Sequence, residues 1–64
     1  MIKDEWKDYY IFLEAIRRTG VCNMLGADIY LREAFPLDVE NSRKILSNWI
    51  ENYSELNELY GWQN

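Results

Sequence analysis

Residues 38–62 read DVENSRKILSNWIENYSELNELYGW, and this stretch decides the fold. Apolar or small side chains recur in it every three or four residues, which is the spacing of one face of an α-helix. That stripe consists of Val39, Ser42, Leu46, Trp49, Tyr53, Leu56 and Tyr60. Because Asp38 is a favourable N-cap and Gly61 a favourable terminator, the pattern predicts one helix of about 22 residues, roughly 33 Å long. A break near Asn52 to Ser54 is the alternative that this pattern leaves open.

Two shorter helices are predicted upstream of this stretch. Residues 4–19 repeat the three-and-four spacing with Trp6, Tyr9, Tyr10, Leu13 and Ile16. A second helix over residues 24–35 ends before Pro36, because the residue before a proline disfavours helical backbone angles. No alternation typical of β-strands is visible. The sequence therefore predicts one all-α domain over residues 1–64, a three-helix bundle-like arrangement with a short second helix and a long C-terminal third helix.

Composition restricts the classes of function. The 64-residue chain has a net charge of −4, which opposes general attraction to nucleic-acid backbones and anionic lipids. It contains no histidine, and Cys22 is its only cysteine, so no intrachain disulfide can form and no cluster of soft zinc ligands exists. The chain also lacks a signal-peptide core and an apolar run long enough for a membrane span. We expect a cytoplasmic protein with no metal and no cofactor.

Catalysis is poorly supported by the residues present. A serine or cysteine nucleophile usually needs an adjacent base, and the chain has no histidine to supply one. Its carboxylate pairs, such as Glu51 with Glu55, fall on predicted solvent faces, whereas a general acid needs an apolar pocket to raise its pKa. The sequence therefore predicts a protein that is not an enzyme.

The C-terminal part of the chain carries one sign of charge. Residues 45–64 contain no lysine or arginine. A solvated face is the ordinary interpretation of such a charge run, but an acidic face can also steer association with a basic protein, with aromatic side chains as anchors. The predicted partner-binding residues are Glu51, Tyr53, Glu55, Leu56, Glu58, Tyr60 and Trp62.

Two further contacts are predicted from apolar residues. Leu25 and Ile29 lie one helical turn apart on the second helix and off its core face, so they form a small secondary apolar patch. The long third helix would also extend past the cover that the second helix provides. That excess favours self-association, most often as a two-fold symmetric homodimer.

Direct DNA binding is the alternative function. The second and third helices, joined by a short turn, resemble a helix-turn-helix, in which the start of the second helix reads base edges. Asn41, Arg43 and Lys44 suit that role. Asp38 and Glu40 would repel phosphates, however, so nucleic acid is the less favoured partner. Ser42 also stands where the motif has a branched apolar residue.

One stretch resembles a known type of protein. Residues 20–27, GVCNMLGA, are followed by Tyr30-Leu31, Phe35, residues 42–46 (SRKIL) and Trp49. This pattern is similar to that of small helical proteins encoded by bacteriophages and prophages, for which no function is known. The resemblance implies a bacterial or phage origin and an infected cell as the setting. Small acidic phage proteins often bind and block a host protein, including defence nucleases, so it also implies an inhibitor.

Overall fold

The computed structural model describes residues 2–20 and 24–62. These residues form four α-helices: α1 (Lys7–Arg18), α2 (Asp28–Ala34), α3 (Val39–Glu51) and α4 (Tyr53–Tyr60). Single turns of 3₁₀ helix occupy Asp4–Trp6 and Met24–Gly26. Within these two ranges no strand occurs, so the all-α prediction is confirmed. Cys22 lies outside the described residues.

The predicted long third helix is wrong, because the chain breaks it at Asn52. This residue has φ −110° and ψ 17°, outside the helical region, and separates α3 from α4. Its side-chain Nδ2 donates a hydrogen bond to the carbonyl oxygen of Asn48 at 2.9 Å, the same oxygen that accepts from its backbone N–H at 3.0 Å. Asparagine commonly competes with the helix in this way. Beyond this break, α4 contacts α1 through the Tyr53 hydroxyl, which lies 3.0 Å from Glu14 Oε1.

The predicted starts of the first two helices are 3₁₀ turns, and the α-helices themselves begin later, at Lys7 and Asp28. Three other helix ends follow the sequence signals. The Asp38 side chain caps α3 by accepting a hydrogen bond from the backbone N–H of Asn41 at 2.7 Å. Phe35, before Pro36, is extended and ends α2. Gly61 closes α4 with φ 68° and ψ 37°, a left-handed conformation that glycine adopts without steric cost.

The core lies among all four helices. Its buried side chains are Tyr10, Leu13, Ala27, Leu31, Ile45, Leu46, Trp49 and Leu56. Tyr10 also ties distant segments together, since its hydroxyl accepts a hydrogen bond from the Lys3 backbone N–H at 3.0 Å and donates one to Asn48 Oδ1 at 2.6 Å. Among the described residues, no helix combines the length and apolar character that crossing a membrane requires.

A polar contact fixes α2 against α3. Arg32 Nη1 lies 2.6 Å from Asp28 Oδ2 and 2.8 Å from the hydroxyl of Ser42, which is fully buried. The hydrogen bond from Arg32 lowers the pKa of Asp28, although burial of the carboxyl opposes that shift. Ser42, where a helix-turn-helix would need a branched apolar residue, thus forms a hydrogen-bonded link between α2 and α3.

Candidate interaction surfaces

The structure divides the predicted partner-binding residues into an inner and an outer set. Leu56 is fully buried, so it cannot contact a partner of the folded chain, and its assignment to the surface is wrong. Tyr53, Tyr60 and Trp62 are half-buried and pack against the core. The third helix was predicted to extend past the cover that the second helix provides; for Tyr60 and Trp62 this prediction is wrong, because both side chains pack against the core. The earlier reason for self-association disappears with it.

Ring contacts hold this inner set in place. The Tyr53 ring lies 4.9 Å from that of Trp49 in an edge-to-face arrangement. The rings of Tyr60 and Trp62 are 5.2 Å apart. Such aromatic pairs add stability beyond the area that they bury. These side chains therefore serve the fold first.

A buried carboxylate, Glu14, links α1 to α4. It accepts two hydrogen bonds from Arg17, at 3.0 and 2.8 Å, one from Arg18 at 2.8 Å, and one from the Tyr53 hydroxyl at 3.0 Å. Arg18 also donates to the carbonyl oxygen of Trp62 at 3.1 Å. Four donors satisfy the carboxylate, which indicates a structural link.

The charges around Glu14 shift two pKa values in opposite directions. Burial favours the neutral form of Glu14, but the hydrogen bonds from Arg17, Arg18 and Tyr53 outweigh it, so its pKa is lowered. Burial and the neighbouring Glu14 carboxylate raise the pKa of the Tyr53 hydroxyl. Sequence reasoning did not identify Glu14; its spacing of three and four residues from Arg17 and Arg18 was the available signal.

The outer set consists of the three predicted glutamates. Two of them, Glu55 and Glu58, form one acidic surface together with Leu59, and we call this the α4 surface. All three side chains are exposed, and Leu59 is 60% exposed. Neither glutamate forms an ion pair with any residue that the structure describes. Glu51, at the end of α3, is exposed as predicted. The sequence did not single out Leu59, which lies beside Glu58 and off the apolar stripe.

A second surface, which we call the α3 groove, runs between the Met24–Gly26 turn and α3. Its volume is about 610 Å³. It is lined by Leu25, Gly26, Asp28, Arg43, Leu46, Ser47, Ile50 and Glu51. Leu25 is 73% exposed and Ile50 40%, whereas Leu46 belongs to the core. The groove therefore offers apolar surface with a cation, Arg43, and an anion, Glu51, among its lining residues.

The predicted secondary patch is exposed but only partly in this groove. Leu25 and Ile29 both reach solvent, Ile29 with 51% of its surface. Only Leu25 lines the α3 groove. Gly26 beside it faces open space, since a Cβ added there meets nothing within 4 Å.

The residues of the DNA-binding alternative lie on the exposed side of α3. Asn41, Arg43 and Lys44 are all exposed. Both cations have acidic neighbours: Arg43 Nε lies 3.6 Å from Asp28 Oδ2, and Lys44 Nζ lies 3.2 Å from Glu40 Oε2. The start of α3 therefore lacks the excess of positive charge that phosphate contact requires.

The part of the chain that the structure describes contains no group of three histidine, cysteine, aspartate or glutamate side chains able to hold a metal ion. Comparison of the chain with models of protein families, with curated proteins and with solved structures found no match. The similarity to bacteriophage proteins accordingly stays a prediction from the sequence alone.

Proposed function

We propose that this chain is a small non-enzymatic protein-interaction module that binds a basic surface of another protein through its α4 surface. The observation that carries the proposal is that Glu55, Glu58 and Leu59 are exposed together on one helix. Neither glutamate forms an ion pair within the described residues. Carboxylates of one sign accelerate encounter with a basic surface and fix its orientation. Burial of the leucine then adds a hydrophobic contribution that slows dissociation.

The sequence resemblance suggests a biological setting for this contact. In a phage-infected bacterial cell, the partner would be a cytoplasmic host protein that the module modulates or inhibits. A defence nuclease is one example, because its nucleic-acid channel must be basic. An acidic helix with an apolar contact residue is chemically suited to such a channel, where it competes with the phosphate backbone.

Charge reversal on α4 tests the proposal. The variant Glu55→Lys/Glu58→Lys should associate with the partner about tenfold more slowly at low ionic strength, and the difference should shrink as salt screens the charges. Leu59→Ser should mainly raise the dissociation rate. Proteins captured from a bacterial lysate with the wild-type chain would be identified by mass spectrometry, and rates then measured by surface plasmon resonance with the purified partner.

A matched control separates local from overall charge. Glu5→Lys/Glu33→Lys changes the net charge equally at two exposed glutamates outside α4, so it should retain most of the wild-type association rate. Equal slowing by both double variants would show that only net charge matters. Wild-type rates for both α4 variants would refute the α4 surface as the contact.

Direct DNA binding is the second candidate, favoured by the exposure of Asn41, Arg43 and Lys44 on one helix that follows a short turn. If it operates, Lys44→Ala should weaken binding to every duplex sequence and reduce the salt dependence by about one released counterion. Absence of any electrophoretic shift by the wild-type chain at low salt would exclude this function.

A further inference from the structure

We propose that the α3 groove is a homodimer interface in which a second copy of this chain crosses α3 antiparallel, with the two-fold axis at Ser47. This inference goes beyond the proposed function and uses different residues. None of the residues of the α4 surface lines the α3 groove. The two ideas can therefore fail separately.

The order of side chains along α3 carries the proposal. Arg43, Ser47 and Glu51 all line the groove and follow one another at intervals of four residues, so they form one ridge along the helix surface. The ends of this ridge are about 12 Å apart along the axis. Arg43 is a cation at one end of the ridge, Glu51 is an anion at the other end, and Ser47 in the middle has a small side chain. Turning the ridge by two-fold symmetry about Ser47 places each cation opposite an anion.

Both charges are available for that exchange. Glu51 forms no ion pair within the described chain and is exposed. Arg43 is 71% exposed in its side chain, and its 3.6 Å contact with Asp28 is longer than a hydrogen bond. Asp28 keeps its closer partner, Arg32, at 2.6 Å. Arg43 can therefore reach Glu51 of the second copy while the Asp28 carboxylate stays paired.

The remaining groove residues supply apolar contact and close approach. Leu25 and Ile50 stand exposed in the groove, and contact with a second copy would remove their surface from water. Distances between the axes of packed helices are about 8–10 Å, and the small side chain of Ser47 at the crossing point favours the lower part of this range. An ion pair at each end then sets the register and the antiparallel direction.

Size limits the strength of this dimer. A standard stable interface covers roughly 800 Å² of each partner, whereas the described surface of this chain totals 4366 Å². Such an interface would take nearly a fifth of the surface, more than the groove alone provides. We therefore expect a dimer that forms with rising concentration. Because the α4 surface of each copy stays exposed, the dimer could bind a partner that carries two basic surfaces at both of them.

Charge exchange across the proposed axis tests it. Sedimentation equilibrium of the full chain, from micromolar to millimolar concentration, should show a monomer–dimer equilibrium. Arg43→Glu and Glu51→Arg each place like charges at both ends of the ridge, so each should weaken dimerisation at least about tenfold. The double variant Arg43→Glu/Glu51→Arg should restore it. Lys44→Glu and Glu55→Arg, matched changes outside the groove, should leave the dimer near wild-type strength.

A second variant avoids disturbance of Asp28. Ser47→Lys places two ammonium groups together at the axis and should abolish the dimer, whereas Ser54→Lys, an exposed serine on α4, should not. Far-UV circular dichroism would confirm that both variants fold. A wild-type mass of 7.8 kDa at every concentration overturns the proposal. So does a folded Ser47→Lys variant that dimerises normally, or a folded double variant that stays monomeric. A different protein held in the groove of a monomeric chain also overturns it.

Discussion

Leu56→Ala is expected to lower the free energy of unfolding by about 2–5 kcal/mol, the usual cost of truncating a buried leucine. Leu56 is fully buried and belongs to the core, although it lies in the last helix. A domain of 64 residues has only about 3–10 kcal/mol of stability in total. The variant should therefore be largely unfolded at modest urea concentrations, as followed by far-UV circular dichroism.

Leu59→Ala is the matched control, because it makes the same change three residues later in the same helix. Leu59 is 60% exposed, so its truncation should alter the free energy of unfolding by no more than about 0.5 kcal/mol. The change in intrinsic helix propensity is the same at both sites. Equal effects of the two substitutions would mean that α4 does not pack against the core as the structure shows.

Local signals in the sequence were sufficient for several of the helix ends. Pro36, Asp38 and Gly61 each act through their own backbone or side-chain chemistry, so their effects can be predicted without knowing the fold. The break at Asn52 is different. The apolar stripe of Trp49, Tyr53 and Leu56 keeps its helical spacing across the break, and periodicity alone predicts a continuous helix there.

What decides the course of α4 is contact between residues far apart in the chain. The Tyr53 hydroxyl reaches Glu14 at 3.0 Å, and Arg18 reaches the carbonyl oxygen of Trp62. Both contacts require α4 to lie against α1. The sequence of the first helix gives no signal that Glu14 contacts Tyr53 of α4. Periodicity therefore predicted the aromatic stripe on the C-terminal segment. It did not predict that Tyr60 and Trp62 pack against the core.

The interaction surfaces also differ in whether local sequence signals predict them. Exposure of Glu55 and Glu58 follows from their position opposite the apolar stripe and was predictable. The α3 groove was not, because its walls combine residues near Leu25 with residues near Ser47 that meet only after folding. The hydrogen bond between Arg32 and Ser42 could not be predicted either, because apolar periodicity gives no information on contacts between polar side chains.

Glu14→Gln is expected to lower the free energy of unfolding by about 2–3 kcal/mol at neutral pH, because the amide cannot replace the charged hydrogen bonds to two arginines. Arg17 and Arg18 remain partly exposed, at 32% and 48% of their side chains. They can therefore be hydrated in the variant, which keeps the loss below that of a fully buried broken pair. Tyr53→Phe removes only one of the donors and should cost about 1 kcal/mol.

The pH dependence of unfolding gives this prediction a second readout. The pKa of Glu14 in the folded protein lies below its ordinary value of 4.5, because the hydrogen bonds from Arg17, Arg18 and Tyr53 outweigh the effect of burial. The unfolded chain therefore binds this proton more readily. The contribution of Glu14 is complete above pH 4.5 and is lost as the pH falls through the lower pKa of the folded state. Urea titrations from neutral to acidic pH should show a shallower acid loss for Glu14→Gln than for the wild type.

Some acid sensitivity should persist in that variant, because the hydrogen bond from Arg32 also lowers the pKa of Asp28. Glu33→Gln is the matched control: Glu33 is exposed and forms no ion pair within the described residues, so its variant should follow the wild-type profile. An identical acid profile for Glu14→Gln and the wild type would contradict the ionised, hydrogen-bonded state of Glu14 in the folded protein. A profile that shifts for Glu14→Gln and stays unchanged for Glu33→Gln would show that this one carboxylate stabilises the folded protein, and a smaller shift for Tyr53→Phe would assign part of that effect to the contact with α4.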